Sequence, residues 1–292
     1  MPPSSEWPKS IRVDSRFRAP SSRSSTDFAI QLSNTYNLPE DVVCRVTTFV
    51  CDAAWWNVEE GVSDRLYVRE SRTVGGAPQV RCRAIQVPAG NYTAAALVVQ
   101  LATSLNTGSL FANSLVYETS YVQNRGVIRV SLSAGGSTDA TARFRVLSES
   151  ELLGPNFVTL WTGDADSVNT NDLDSMSDLL RIPAASADTV LWESGLLNVS
   201  PTNILLLHFK QLTSISEGPR QSDNDVILSV PVDVSYGFTL AYQSSGSSED
   251  YFHCGGMPLN YLEFTVTNVW GRPVNLHGGS VYFTLEFSQL GM

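Results

Sequence analysis

Six aspartates, Asp164, Asp166, Asp172, Asp174, Asp178 and Asp188, crowd the stretch from 161 to 200 against Arg181 alone. Clustered carboxylates at short spacing are the usual raw material of a calcium loop. Asp164-Ala-Asp166, however, lacks the following oxygen ligands, the central glycine and the terminal glutamate of an EF-hand, so the stretch reads as a solvated surface loop. Glu263 and Glu286 are the best available pair for a glycosidase of the two-carboxylate type, but strand alternation sends both toward solvent. His253-Cys254 pairs an imidazole with a thiol in sequence, yet neighbouring side chains on a strand diverge, which separates base from nucleophile. Cys44, Cys51, Cys82 and Cys254 form no CxxC pair, and with only three histidines the chain has no zinc signature. Buried free thiols are the expectation.

The remaining polar candidates have structural readings. His208 shares a face with Ile204 and Leu206, which predicts a hydrogen-bonded core or edge histidine, and His277 sits in a glycine-rich turn among backbone carbonyls. Gly75-Gly76, Gly135-Gly136 and Gly278-Gly279 are turn pairs with no helix signature after them, and neither GxSxG nor GxxxxGK[ST] occurs. The sequons at Asn91 and Asn198 matter only in a secreted protein. No catalytic residue, metal or cofactor is therefore expected, and the chain is read as a non-enzyme.

The elements that carry these residues are mostly strands. Tyr261 to Val269 and Ser280 to Ser288 alternate strictly: Leu262, Phe264, Val266 and then Val281, Phe283, Leu285, Phe287 turn one way, while Glu263, Thr265, Thr267 and then Tyr282, Thr284, Glu286, Ser288 turn the other. Similar runs cover Phe28 to Leu32, Val42 to Val50, Arg65 to Arg69, Val80 to Val87, Asn203 to Lys210, Val226 to Val232 and Gly237 to Tyr242. Trp55-Trp56 closes the second of them and reads as a core lid. A helix interrupts the strands, with Asn91 or Thr93 as its cap and Leu97, Leu101 and Leu105 at four-residue intervals. A hairpin over Leu115 to Leu132 follows, then a strand at Arg143 to Leu147 and a helical turn in which Ser148 and Glu151 have capping-box spacing. A β-sandwich or barrel with one compact α+β insertion is the architecture these patterns predict.

Composition bounds the function. With 292 residues, 42% of them hydrophobic, the chain can bury a sizeable core, and a formal charge of −10 disfavours a general nucleic-acid-coating role. No apolar run approaches the roughly 20 residues a membrane helix needs, and the N-terminus lacks an apolar signal core, which predicts a soluble chain without a membrane span. The first 27 residues are poor in apolar side chains and carry Lys9, Arg12, Arg16, Arg18 and Arg23 beside Asp14. They read as an N-terminal arm, either a disordered tail or a segment that orders on a neighbouring subunit or touches phosphates, with Ile11, Val13 and Phe17 as its anchors.

Several segments in order along the chain resemble the minor capsid, or penton, proteins of virophages and polinton-like viruses. They are Val13-Asp-Ser-Arg-Phe-Arg18 with Ser24-Ser-Thr-Asp-Phe28, Ala54-Trp-Trp-Asn-Val-Glu59 with Leu66-Tyr-Val68, Gly90-Asn-Tyr-Thr93, Glu151-Leu-Leu-Gly154, and Asn268-Val-Trp-Gly-Arg-Pro-Val-Asn-Leu-His-Gly278. The acidic stretch from 161 to 200 matches none of the family's motifs. The resemblance implies a mainly β protein: a single jelly roll with an inserted α+β module and a flexible N-terminal arm. It further implies a homopentamer at the five-fold vertices of an icosahedral virion made in an infected host cell, beside a double jelly-roll major capsid protein.

Under that implication the organisation is an arm at 1–27, the jelly roll at 28–87 and 201–292, and the insertion with its acidic loop at 88–200. The assembly residues are Lys9, Arg12, Asp14, Arg16, Arg18 and Arg23 of the arm and the outward Tyr282, Thr284 and Glu286. Deleting residues 1–27 is then expected to leave a folded protein that incorporates poorly into particles. Two other readings stand beside this one: another minor capsid component, and a module binding a host receptor or glycan, with Trp161 and Trp192 stacking on sugars.

Overall fold

Apolar-polar alternation makes the strand the prevailing element of this chain, and the strands divide between two units with separate cores. The computed structural model describes residues 7–107, 115–133, 139–162, 164–169, 173–184, 187–200, 202–212, 225–246 and 251–289; Gly135-Gly136, Asp172 and the first six residues of the expected arm lie outside them. One unit comprises residues 1–55 and 202–292 and the other residues 56–201. In chain order the first unit contributes β1 (Ser10–Asp14), β2 (Asp27–Asn37) and β3 (Val42–Asp52). The second holds β4 (Arg65–Val74), β5 (Ala77–Gln86), α1 (Ala94–Asn106), β6 (Tyr117–Val122), β7 (Val127–Leu132), β8 (Arg143–Val146), α2 (Glu149–Leu152), α3 (Phe157–Leu160), β9 (Asp164–Ala165), α4 (Ser177–Leu180) and β10 (Leu191–Glu193). The chain then returns for β11 (Ile204–Phe209), β12 (Val226–Pro231), β13 (Thr239–Gln243), β14 (Phe252–His253), β15 (Pro258–Asn268) and β16 (Val281–Gln289).

In the first unit the sheets run β1-β16-β3-β13, with β14 also on β3, and β12-β11-β15-β2, all antiparallel. Successive strands pass from one sheet to the other except at β11–β12 and at β13–β14, which both lie on β3, and the two four-strand paths have the strand order of a single jelly roll. Between the sheets Phe264 of β15 meets Phe283 of β16 edge-on at 4.9 Å and stacks on Phe209 of β11, also at 4.9 Å. Phe28 lies 5.7 Å from Phe264, and Phe49 is stacked 6.5 Å from Phe283. Burying each such ring is worth roughly 1.5–3 kcal/mol, with about 0.5–1.5 kcal/mol more for a well-placed pair.

Residues 10–27 differ from the expected flexible arm. β1 pairs along β16 from Ser10 opposite Glu286 to Asp14 opposite Tyr282. Its inward Ile11 and Val13 are buried in the core, and the buried Ser15 hydroxyl accepts the Val281 N–H at 2.9 Å. Beyond it the Ala19 N–H bonds the Ala29 carbonyl at 2.8 Å, and the Thr26 hydroxyl donates to the Val274 carbonyl at 2.6 Å. Two apolar residues at strand spacing suffice because β16 supplies the ladder, and local composition does not register a partner that lies some 270 positions away in sequence. Loss of residues 1–27 would therefore remove a paired strand with two buried side chains, not a free tail.

The division of the chain also differs from 28–87, 88–200 and 201–292. β4 and β5 belong to the second unit, because they pair with each other and with β8 and β9 rather than with β3. Gly75 and Gly76, both at positive φ (59° and 84°), make the tight turn between them. A second sheet there, β10-β7-β6, shares a core with α1, whose Leu97, Leu101 and Leu105 are buried and whose cap is Thr93, accepting from Ala96 N–H at 3.2 Å. Ser148 and Glu151 form the full capping box of α2.

Glu70, fully buried on β4, ties this unit together. It accepts from Arg83 of β5 at 2.6 Å and from the Tyr117 hydroxyl at 2.9 Å, while Arg83 also donates to the carbonyls of Leu105 at 2.8 Å and Thr107 at 2.9 Å. The guanidinium thereby satisfies the carbonyl end of α1. Burial first, then the Glu70 charge, pushes the Tyr117 phenol well above its ordinary range, so it remains a donor.

Glu70→Ala strands a buried guanidinium and should cost about 3–5 kcal/mol in urea unfolding of the second unit; a loss below 1 kcal/mol would refute this account. Deleting residues 1–15 should abolish cooperative unfolding of the jelly roll, read by near-ultraviolet circular dichroism, and a native-like melt would contradict it.

Candidate functional site: surfaces of the jelly roll

Side chains that alternate into the core send their neighbours onto two outer faces, and those faces hold most of the jelly-roll candidates. Tyr282, Thr284 and Glu286 project from β16, between β1 and β3. Thr284 accepts from the Thr48 hydroxyl at 3.0 Å, and Glu286 accepts from Arg45 Nε at 2.9 Å and Nη2 at 2.7 Å. Arg45 also lies 4.9 Å from the Tyr251 ring centroid. These three residues are half-buried in mid-sheet, where strands flank them on both sides.

Of the basic residues, Lys9, Arg12 and Arg16 lie on or beside β1 at the margin of the same sheet, whereas Arg23 lies beside β2 of the opposite sheet. Lys9 sits 3.9 Å over the Trp7 ring, and Arg12 is exposed on β1. Asp14 caps the short 3-10 turn Ser15–Phe17 and pairs with Arg16 at 2.6 Å. That hydrogen bond with Arg16 outweighs burial and holds the Asp14 carboxyl below its ordinary value. Arg18 donates to the Ser15 carbonyl at 3.0 Å, and Arg23 pairs with Asp27 at 3.5 Å.

On the other outer face Asp27, Lys210 and Thr265 form a cluster: Lys210 Nζ donates to Asp27 Oδ1 at 2.9 Å, and the Thr265 hydroxyl reaches the same oxygen at 3.2 Å. Burial pushes the Asp27 carboxyl up, but Lys210, Thr265 and Arg23 together carry it below its ordinary value. Nearby, His208 bridges strands, with Nδ1 2.7 Å from Asp225 Oδ1 and Nε2 2.9 Å from the Thr267 hydroxyl. A hydroxyl, an imidazole and a carboxylate in that order are the parts of a nucleophile relay. Here His208 and Thr267 are only 6% and 5% exposed, which closes the hydroxyl to a substrate. The chain of bonds joins β11, β15 and the residue preceding β12; the sequence placed His208 in a hydrogen-bonded position, but no local spacing points to Thr267 or Asp225.

The other chemical candidates are dispersed. Glu263 and Glu286 lie on opposite outer faces of the sandwich, since β15 and β16 belong to different sheets and both turn their phenylalanines inward, so the two carboxylates cannot flank one glycosidic bond. Asp166 accepts from the Ala84 N–H at 2.9 Å, Asp174 pairs with Arg65 at 3.1 Å and Asp188 with Arg69 at 2.6 Å; among the described residues no three potential ligands gather around one point. Trp161 donates to the Asp166 carbonyl at 2.7 Å and stacks on Phe157, and Trp192 is buried in the second core, so neither offers the open ring that sugar stacking requires. His277 occupies a left-handed position at φ 46°, its N–H bonded to Asn275. All four cysteines are free and buried. A hydrogen bond with Cys254, then burial, pushes the Cys44 thiol far up, and burial pushes that of Cys51 up to about 12.

Because the thiolate is the reactive form, native protein should resist iodoacetamide at pH 8 and label at all four cysteines in denaturant; rapid native labelling of Cys44 would refute the burial. Asp27, with its folded pKa depressed, contributes stability that is complete above the ordinary carboxylate range and is lost as pH falls through the folded value. Wild type should thus exceed Asp27→Asn by no more than about 1 kcal/mol at pH 7, with the gap closing toward pH 2. A gap that widens in acid would overturn the assignment.

The fold is similar to the crystal structure of the mavirus penton protein, with a TM-score of 0.48 and 10% identity over 97% of this chain and 100% of that one. It is also similar to a chain of the Sputnik virophage structure, with a TM-score of 0.43 and 13% identity over 97% of this chain and 98% of that one. No protein-family model and no curated protein matches the sequence.

Proposed function

We propose that this chain is a structural capsid protein, the penton that forms homopentamers at the five-fold vertices of an icosahedral shell beside a double jelly-roll major capsid protein. The observation that carries the proposal is the strand order: a complete single jelly roll, opened once between β3 and β11 to admit a self-contained second unit. Such a sandwich keeps its loops and sheet margins available to neighbours. The ordered run of motifs resembling penton proteins supports the same reading, as does the dispersal of the reactive side chains into local pairs. A ring of five would repeat one head-to-tail contact around its axis.

Native mass spectrometry of the purified full chain tests the proposal. A mass of five copies is the expected result, and a strict monomer both alone and when co-expressed with the major capsid protein would overturn it.

A second reading, a host-surface or glycan-binding module, has one observation in its favour. Phe17, Tyr236, Phe238 and Trp270 are all about half exposed or more, and they occupy the three loops following β1, β12 and β15, which leave the sandwich at the end where β3 finishes. Glycan-array binding that disappears in Phe238→Ala would support it.

A further inference from the structure

The sheet β1-β16-β3-β13 ends in two strands whose outer backbones have no neighbouring strand among the described residues. On one margin the Phe287 N–H bonds the Lys9 carbonyl at 2.9 Å, which sets the ladder so that Ile11 and Val13 bond β16 while the N–H and C=O groups of Ser10 and Arg12 face away. On the other margin the Ala53 N–H reaches the Phe238 carbonyl at 2.8 Å and the Ser244 N–H reaches the Thr47 carbonyl at 2.9 Å. Leu240 and Tyr242 therefore bond β3, and the backbones of Thr239, Ala241 and Gln243 face away. By contrast, the start of β2 in the opposite sheet is covered by its own chain, through bonds of Ala19, Ser22, Arg23 and Ser24 to Asp27 and Ala29.

Direction and charge pair these two margins with each other. All neighbours in the sheet are antiparallel, so β1 and β13 run in opposite senses, and a copy rotated about an axis along the strands presents its β1 antiparallel to β13. The β1 margin carries Lys9 and Arg12. The stretch that holds β13 has no lysine or arginine between Arg220 and Arg272, and Asp233 precedes the strand. Like margins would bring like charges together, whereas unlike margins attract.

We infer that β1 of one copy adds to β13 of the next, continuing this sheet from subunit to subunit. The inference rests on the oligomeric capsid reading and specifies its contact. It is a head-to-tail strand addition in which main-chain bonds supply the affinity and the charge difference selects the partner edge.

Proline tests it at positions whose N–H points outward, where a strand tolerates it. Arg12→Pro and Ala241→Pro should each give a monomer by native mass spectrometry, with melting by circular dichroism like that of wild type. Mixing them is the decisive arm: each variant keeps the edge the other lacks, so the mixture should yield a one-to-one dimer and nothing larger. Arg12→Glu leaves the backbone unchanged and should weaken wild-type assembly more than tenfold. Oligomers that survive all three substitutions would overturn the edge contact while leaving the oligomer standing. A dimer of Arg12→Pro with itself would replace head-to-tail addition with two-fold pairing of β13. A wild-type monomer accompanied by no mixed dimer would remove the contact, and persistence of that monomer on co-expression with the major capsid protein would remove the capsid oligomer as well.

Discussion

Phe264 against Phe283 is the contact on which the jelly roll depends. Each ring comes from a different sheet, and Phe28, Phe209 and Phe49 pack around the pair, so the aromatic cluster sets both the register and the spacing of the two layers. Strand period 2 then determines which residues face outward: with Phe264 and Phe283 inside, Glu263, Thr265, Tyr282 and Thr284 have no alternative. The polar surface by which this chain would meet its neighbours is thus a consequence of its aromatic core.

The second unit is organised by a different force. Glu70 is a buried carboxylate whose Oε1 accepts from both Arg83 and Tyr117, and Arg83 in turn closes the carbonyl end of α1. A buried ion pair contributes little net stability compared with apolar packing, but it tolerates only one arrangement of its partners. Its bonds join β4, β5, β6 and the end of α1. Each unit has its own apolar core, and in the second the Glu70–Arg83–Tyr117 group is buried beside it, so the insertion carries its own fold between β3 and β11.

Reactive groups in this protein are consumed by structure. His208 has the hydrogen-bond partners of a catalytic base but spends them on joining β11 to Thr267 of β15 and to Asp225. The cysteines lie in cores, and Asp166, Asp174 and Asp188 of the acidic stretch each hold one backbone amide or one arginine. Among the described residues the outward main-chain groups of β1 and β13 meet no neighbouring strand, and the proposed assembly would use them.

Much of the fold was legible before any coordinates. Alternation identified β15 and β16 and their inward faces, four-residue spacing identified α1, and Ser148 with Glu151 identified the cap of α2, because each signal lies within one element and reports its own burial pattern. Partner choice was not legible. Ile11 and Val13 looked like anchors in a polar arm until β16 paired with them, β4 and β5 looked like jelly-roll strands until they paired with β8 and β9, and Glu263 and Glu286 looked like a matched pair until they fell on opposite faces. By itself the sequence determined which residues form strands and helices and which sides of them are apolar, since backbone period and side-chain hydrophobicity are local properties. Only the tertiary structure decided which strands are neighbours and which edges stay open, because strand pairing depends on contacts between residues far apart in the chain whose energies no local pattern records.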